Sequence, residues 1–208
     1  VIKVASEIVS QAAEVIRTGG VLLYPTDTIY GLGCDALNGP AIQRVFEIKR
    51  RADDKPALVL IQDGAMLDML AEEFPPIASR LAKRFWPGPL TIIFKSRWDL
   101  HPLLTGSGGR VGVRIPDNDF CRRLLRETGV PIVSTSANIS GTEGPGDIGS
   151  LRSLFGSLVD LVVDGGEPVS NKPSTVVDVS DGSLRIVREG VIPAEVVRWV
   201  EDRKKPAT

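Results

Sequence analysis

Three polar clusters carry side chains able to bind an anion, and each follows an apolar run. Pro25-Thr26-Asp27-Thr28 follows Val21-Leu22-Leu23-Tyr24. Lys49-Arg50-Arg51 follows the periodic stretch Ile42, Val45, Phe46, Ile48. Ser134-Thr135-Ser136-Ala137-Asn138 follows Val130-Pro131-Ile132-Val133. Hydroxyls, loop amides and Lys or Arg all donate hydrogen bonds to phosphate. Ligands of open α/β sheets sit at strand ends, where loops present such groups. Arg114 follows Val111-Gly112-Val113, and an Arg inside an apolar strand needs an anionic partner or a place on the polar face. Arg188 repeats the theme in Leu184-Arg185-Ile186-Val187-Arg188, where strand period puts Arg185 and Arg188 on opposite faces.

Each cluster also has a plainer reading. Cations in the last turn of a helix meet its dipole favourably, typically for about 0.3–1 kcal/mol. Ser134 to Asn138 can form a turn and a helix cap through local backbone bonds. Thr105-Gly106-Ser107-Gly108-Gly109-Arg110 and Gly141 to Gly146 read either as lids or as simple loops. Trp86-Pro87-Gly88-Pro89 reads as a rigid turn with Trp86 in the core.

Other chemistries lack their residues. No GxxxxGK[ST] occurs, so a P-loop is out. Gly31-Leu32-Gly33-Cys34-Asp35-Ala36 approaches a dinucleotide fingerprint, but Asn38-Gly39-Pro40 intervenes before the next helix, so a glycine-relaxed strand or turn fits better. His101, the sole histidine, sits in a loop context and no GxSxG elbow accompanies it. One histidine with two separated cysteines, Cys34 and Cys121, leaves too few ligands for zinc.

The net charge of -1 does not advertise nucleic-acid binding. Locally, Gln43 to Lys55 holds five cations against three acids, a surplus that suits a small anionic ligand. No apolar run approaches the roughly 20 residues of a membrane span. The low cysteine count suits a reducing cytoplasm.

These groups need elements to position them. Helices are expected at Ser6 to Thr18 (capped by Ser6), Pro40 to Lys49, Asp63 to Leu70, Pro75 to Trp86, Asn118 to Thr128 and Ala194 to Arg203. Strands are expected at Val21 to Tyr24, Ala57 to Ile61, Leu90 to Lys95, Val111 to Ile115, Pro131 to Val133, Leu158 to Val163, Thr175 to Val179 and Leu184 to Arg188. Strands and helices alternate, yet some neighbours are hairpin-like. The expected fold is therefore α/β, a mixed sheet with flanking helices, in one domain over 1–208 with 204–208 as a frayed tail.

Taken together, the clusters resemble the YrdC-like family of L-threonylcarbamoyladenylate synthases. The resemblance is carried in order by VLLYPTDTIYGLGCDA (Val21 to Ala36), Lys49-Arg50-Arg51 with Asp54-Lys55-Pro56, Trp86-Pro87-Gly88-Pro89-Leu90-Thr91, Val113-Arg114-Ile115-Pro116, Ser134 to Asn138, and Pro173-Ser174-Thr175-Val176. It implies a nucleotidyltransferase that makes threonylcarbamoyl-AMP and pyrophosphate from L-threonine, bicarbonate or CO2, and ATP. It also implies a twisted open sheet around a concave basic cavity, and a partner transferase that passes the group to an adenosine beside the anticodon of tRNA. By the same resemblance, Thr26, Arg114, Thr135 and Ser174 lie at threonine. Lys49, Arg51, Ser136, Asn138 and Arg188 lie at ATP, with Lys49 and Arg51 as the catalytic pair. Where some relatives carry a histidine near the threonine pocket, this chain has Leu60.

The implied chemistry needs no protein nucleophile. Lys49, Arg51 and a Mg2+ ion accompanying ATP would screen the repulsion between carbamate and phosphate. Labile intermediates call for a closed cavity or lid. Two alternatives stand beside it: an RNA-binding module using the same basic surface, and a divergent relative with another carbamoyl or nucleotide chemistry.

Overall fold

The computed structural model describes residues 5–52, 55–142, 147–170 and 172–202. Its short apolar runs pair side by side as strands. They are β1 (Leu22–Tyr24), β2 (Gly31–Gly33), β3 (Leu58–Leu60), β4 (Leu90–Lys95), β5 (Arg110–Arg114), β6 (Ile132–Ser136), β7 (Leu161–Val162), β8 (Thr175–Asp178) and β9 (Arg185–Arg188). Together they make one sheet in the order β7-β1-β2-β6-β3-β5-β4-β8-β9. The pairs β1–β7, β3–β5 and β4–β8 are parallel, and the remaining pairs are antiparallel. The mixed sheet expected from the hairpin-like spacings is therefore present.

Helices flank it: α1 (Ser6–Arg17), α2 (Gly39–Lys49), α3 (Gly64–Asp68), α4 (Pro76–Phe85), α5 (Pro102–Thr105), α6 (Asp119–Thr128), α7 (Ile148–Phe155) and α8 (Ala194–Asp202). Each long helix buries one apolar stripe. On α1 it is Val9, Ala12, Ala13 and Ile16; on α6 it is Phe120, Cys121, Leu124 and Leu125. These two helices pack on each other. Fully burying such a Val, Leu, Ile or Phe contributes about 1.5–3 kcal/mol. Starts are fixed by side-chain caps. Asn38 Oδ1 accepts from Ala41 N at 3.1 Å, and Asn118 Oδ1 accepts from Cys121 N at 3.0 Å.

Several expectations shift. Ser6 does not cap α1; Ala5 holds that position without a side-chain bond, and Ser6 Oγ instead accepts from Arg123 at 2.9 Å. The β6 strand does not stop at Val133 but runs on through Ser136, because its second half pairs with β2. Only Leu161–Val162 of the expected strand from Leu158 forms, where it can pair with β1. Gly31-Leu32-Gly33 is a strand and no dinucleotide turn. His101 is half-buried rather than an exposed loop residue, and its Nδ1 caps the short α5 by accepting from Leu103 N at 3.3 Å. Trp86 is half-buried against the core, its Nε1 donating to Leu90 O at 2.6 Å. The tail at 204–208 and most of the Gly141 to Gly146 loop lie outside the described residues.

Candidate active site: a cationic cavity on one sheet face

Strand alternation builds the cavity. On β5, Val111 and Val113 are fully buried in the core, so Arg110, Gly112 and Arg114 take the opposite face. Ser134 stands opposite Leu58, Leu58 opposite Gly112, Gly112 opposite Ile93, and Ile93 opposite Asp178. All five residues of this row line one cavity of about 1230 Å3. Gly112 keeps the middle of the row low. A Cβ there would lie 3.3 Å from Thr91 Cγ2.

The walls are cationic and rich in hydroxyls. Arg51, Arg110, Arg114 and Arg188 line the cavity with Thr26, Thr28, Thr91, Ser134, Thr135, Ser136, Asn138 and Ser174. The structure thus brings every expected site residue except Lys49 to the lining of one cavity.

The three consecutive cations at the end of α2 go three different ways. Arg50 closes the helix in the left-handed region, with φ 50°, and faces solvent. Arg51, turned by that residue, reaches the cavity. Its Nε donates to Lys55 O at 2.6 Å, one terminal nitrogen donates to Pro56 O at 2.8 Å, and the other lies 3.5 Å from Thr135 Oγ1. The Phe46 ring centroid lies 5.7 Å from its guanidinium. Lys49 runs behind the wall and is 1% exposed. Its ammonium donates to Ser136 O, to Asn138 O at 2.8 Å and to Asn138 Oδ1 at 3.2 Å. Lys49 thus does not line the cavity, and its donors already have carbonyl partners. Burial, and then Arg51, pushes its ammonium down to about 7.

Asn138 is equally occupied. Its Oδ1 also accepts from Ser136 Oγ at 2.5 Å, and its Nδ2 donates to Ile139 O and Thr142 O. Lys49 and Asn138 therefore form the frame of this loop. Thr26 shows a similar economy. Its hydroxyl donates to Ile29 O at 2.7 Å and accepts from Thr28 N at 3.1 Å, which closes a tight local turn.

At the far wall, Ser174 Oγ and Thr91 Oγ1 lie 2.9 Å apart, and Arg188 donates to Ser174 O at 2.9 Å. Arg114 is recessed into the floor, where one terminal nitrogen meets Asp27 Oδ1 at 3.2 Å. The guanidiniums sense one another. Burial and then Arg188 hold Arg51 below its usual value, while partial burial and then Arg114 do the same to Arg188.

The rim is strapped by Tyr30, whose Oη accepts from Gly165 N and donates to Gly166 O. Ser170 N donates to Thr28 O, which brings Glu167, Pro168 and Ser170 to the mouth. The Thr105 to Arg110 segment also lines the cavity, with a tight turn at Gly106–Gly108. Asp27, Thr28 and Ser134 lay inside the polar clusters flagged in sequence but were given no individual role, and Thr91 was missed as a site component. Thr91 had a readable signal, a single hydroxyl inside Leu90-Thr91-Ile92-Ile93-Phe94.

Fold and site together define an α/β protein with a hydroxyl-lined cavity that carries four arginines. Residues 14–190 match the Sua5–YciO–YrdC family model, described as telomere recombination. The chain belongs to that family. It is 37% identical over 198 residues to the threonylcarbamoyl-AMP synthase of Pyrococcus abyssi, covering 94% of this chain and 58% of that protein. It is 36% identical over 193 residues to the Bacillus subtilis threonylcarbamoyl-AMP synthase, covering 92% and 56%. The chain thus spans a little under three fifths of the length of these two relatives. The crystal structure of P. abyssi Sua5 complexed with L-threonine superposes with a TM-score of 0.91 at 35% identity, covering 96% of this chain and 58% of that one.

Proposed function

We propose that this chain is a threonylcarbamoyl-AMP synthase, a nucleotidyltransferase that converts L-threonine, CO2 or bicarbonate, and ATP to threonylcarbamoyl-AMP and pyrophosphate. The observation that carries the reading is the convergence of Arg51, Arg114 and Arg188 on one hydroxyl-lined cavity large enough for a nucleotide and an amino acid. The identity to two threonylcarbamoyl-AMP synthases supports it.

In this reading the threonine amine captures CO2 as a carbamate. A carbamate oxygen then attacks the α-phosphorus of ATP, and pyrophosphate leaves with the bonding electrons. Both reactants are anionic, so the protein's work is positioning and charge screening. Arg51 and Arg188 screen the phosphates from opposite walls. Lys49 contributes its field and holds Ser136 and Asn138 in place. Arg114, Thr26, Thr135 and Ser174 hold threonine. Among the described residues no three His, Cys, Asp or Glu side chains gather as a metal site. A Mg2+ ion accompanying ATP would be held through phosphate oxygens and water.

The product is a reactive mixed anhydride, so a transferase acting on tRNA is the expected consumer. The two cysteines are free and buried, which suits the cytoplasm, and among the described residues no helix is long and apolar enough to cross a membrane.

The test is pyrophosphate release from ATP, with and without L-threonine and bicarbonate, with mass detection of the adenylate. Release that requires both additions, with threonylcarbamoyl-AMP detected, supports the reading. ATP binding without release points to another carbamoyl or nucleotide chemistry. Salt-sensitive RNA binding without ATP binding points to the RNA module.

A further inference from the structure

Two acids line the cavity among its cations, and they are placed differently. Asp178 is 4% exposed and its carboxylate is taken. Ser180 N and Oγ donate to one oxygen at 2.9 and 2.7 Å, and Arg110 and Arg185 pair with the other at 3.3 and 3.4 Å. Glu167 is exposed at the mouth, and among the described residues its carboxylate has no ion pair and no hydrogen-bond partner.

The strap that carries Glu167 is fixed on both sides of it. Gly166 O accepts from Tyr30 Oη at 2.8 Å before it, and Ser170 N donates to Thr28 O at 3.0 Å after it. Gly165 lies so close to Pro25 that a Cβ there would stand 2.5 Å from Pro25 Cγ. Pro168, directly after Glu167, favours extended backbone at the acid. Tyr30 also ties this strap to the loop after β6. Its backbone O accepts from Ala137 N at 2.9 Å, in the middle of Ser136-Ala137-Asn138. Glu167 therefore stands at the mouth beside the loop that the functional reading puts at ATP. Ala137 and Pro168, next to these two anchors, line the cavity with apolar surface.

An ionised carboxylate only accepts hydrogen bonds. Phosphates, and the carboxylate and carbamate of the amino acid, offer it none and are repelled by it. Arg51, Arg110, Arg114 and Arg188 draw those anions inward. What ATP then turns to the mouth is its nucleoside, whose ribose hydroxyls are donors. A carboxylate that accepts from ribose is a recurrent device of nucleotide sites.

We infer that Glu167 is a specificity residue that accepts hydrogen bonds from the ribose hydroxyls of ATP, so that the cavity selects ribonucleotides over deoxyribonucleotides. The assignment rests on the functional reading above for the identity of the nucleotide.

The experiment compares ATP, 2′-deoxy-ATP and 3′-deoxy-ATP by calorimetric titration and by pyrophosphate release, on wild type, Glu167→Ala and Glu167→Gln. Wild type should prefer ATP over at least one deoxy analogue by about tenfold or more, the scale of a hydrogen bond to a charged group. In Glu167→Ala the Kd and KM for ATP should rise to those of that analogue, while the analogue's own values and the threonine KM stay within about twofold. Glu167→Gln keeps a carbonyl acceptor and should recover part of the preference. A merely structural role would lower kcat through the folded fraction and leave the preference intact.

Equal binding of ATP and both analogues by wild type overturns the assignment, as does a preference that survives Glu167→Ala. A raised threonine KM with the ATP preference intact also overturns it, and gives the carboxylate to the ammonium of the amino acid. Titration reads binding without turnover. Wild type that binds ATP but releases no pyrophosphate would therefore overturn the functional reading, while the deoxy comparison still decides on Glu167. No ATP binding at all overturns both.

Discussion

Lys49 and Asn138 are joined twice. One ammonium donates to the backbone carbonyl of Asn138 at 2.8 Å and to its side-chain oxygen at 3.2 Å. Through this pair the end of α2 dictates the shape of the loop after β6. A second link, Ser140 N to Lys49 O at 2.9 Å, locks the same two segments in the reverse sense.

Lys49→Met should therefore cost stability as well as activity. Each carbonyl left buried without a donor costs about 1–3 kcal/mol. Lys49 also gives a pH signature. Its ordinary value is 10.5, and burial with Arg51 lowers it to about 7. Between those values the folded chain holds fewer protons than the unfolded chain. Stability should therefore rise as pH rises through this window and fall as pH drops back toward 7. Urea midpoints of wild type and Lys49→Met across the window check it. Equal pH slopes would sink the idea.

Arg51→Ala removes a cavity cation whose backbone anchors lie in the loop after α2. Adenylate formation should fall by about 10²-fold in kcat/KM for ATP, the scale of losing one preorganised charge-stabilising donor. Far-UV circular dichroism should stay unchanged. Normal ATP turnover by the folded variant would remove Arg51 from its role.

Gly112→Val tests the floor. The new Cβ would sit 3.3 Å from Thr91 Cγ2 and 3.7 Å from both Leu58 Cβ and Ile93 Cγ1. Crowding of this kind costs about 1–3 kcal/mol, with the lower end expected because the cavity offers relief. Ligand affinity should fall far more than stability. Thermal melts alongside calorimetry separate the two, and undiminished affinity would mean that the ligand does not lie across the row.

Asn38→Ala is the counterpart away from the site. Losing the cap bond to Ala41 N should destabilise the chain by about 1 kcal/mol. The Michaelis constants should not move. A changed KM for either substrate would show that α2 transmits strain to the Arg51 loop.

The central strands were legible because continuous apolar runs admit few other readings. β2 was harder, since two glycines weaken its strand signal, and its identity comes from its neighbours β1 and β6. The helix α7 went unread although Asp147 caps it and Leu151 and Phe155 bury one face. Within the site, chemistry was easier to read than direction. Lys49-Arg50-Arg51 looks like one patch in sequence, and no glycine flags the left-handed residue that splits it. Asp27 gave no signal of its own, because its partner lies on a strand far along the chain.

Among the described residues the last strand, β9, has one bonded neighbour, β8, and its other flank is an edge of the sheet. Such edges invite a second chain to add itself, and charged side chains are a common deterrent. Arg185 and Arg188 bracket Ile186 and the outward Val187 on that edge. Arg188, which lends charge to the cavity, is thus also one of the charges along that edge. Substituting Arg188 removes a gatekeeper along with a ligand contact, and a loss of activity in such a variant has to be separated from self-association by light scattering before it speaks about catalysis.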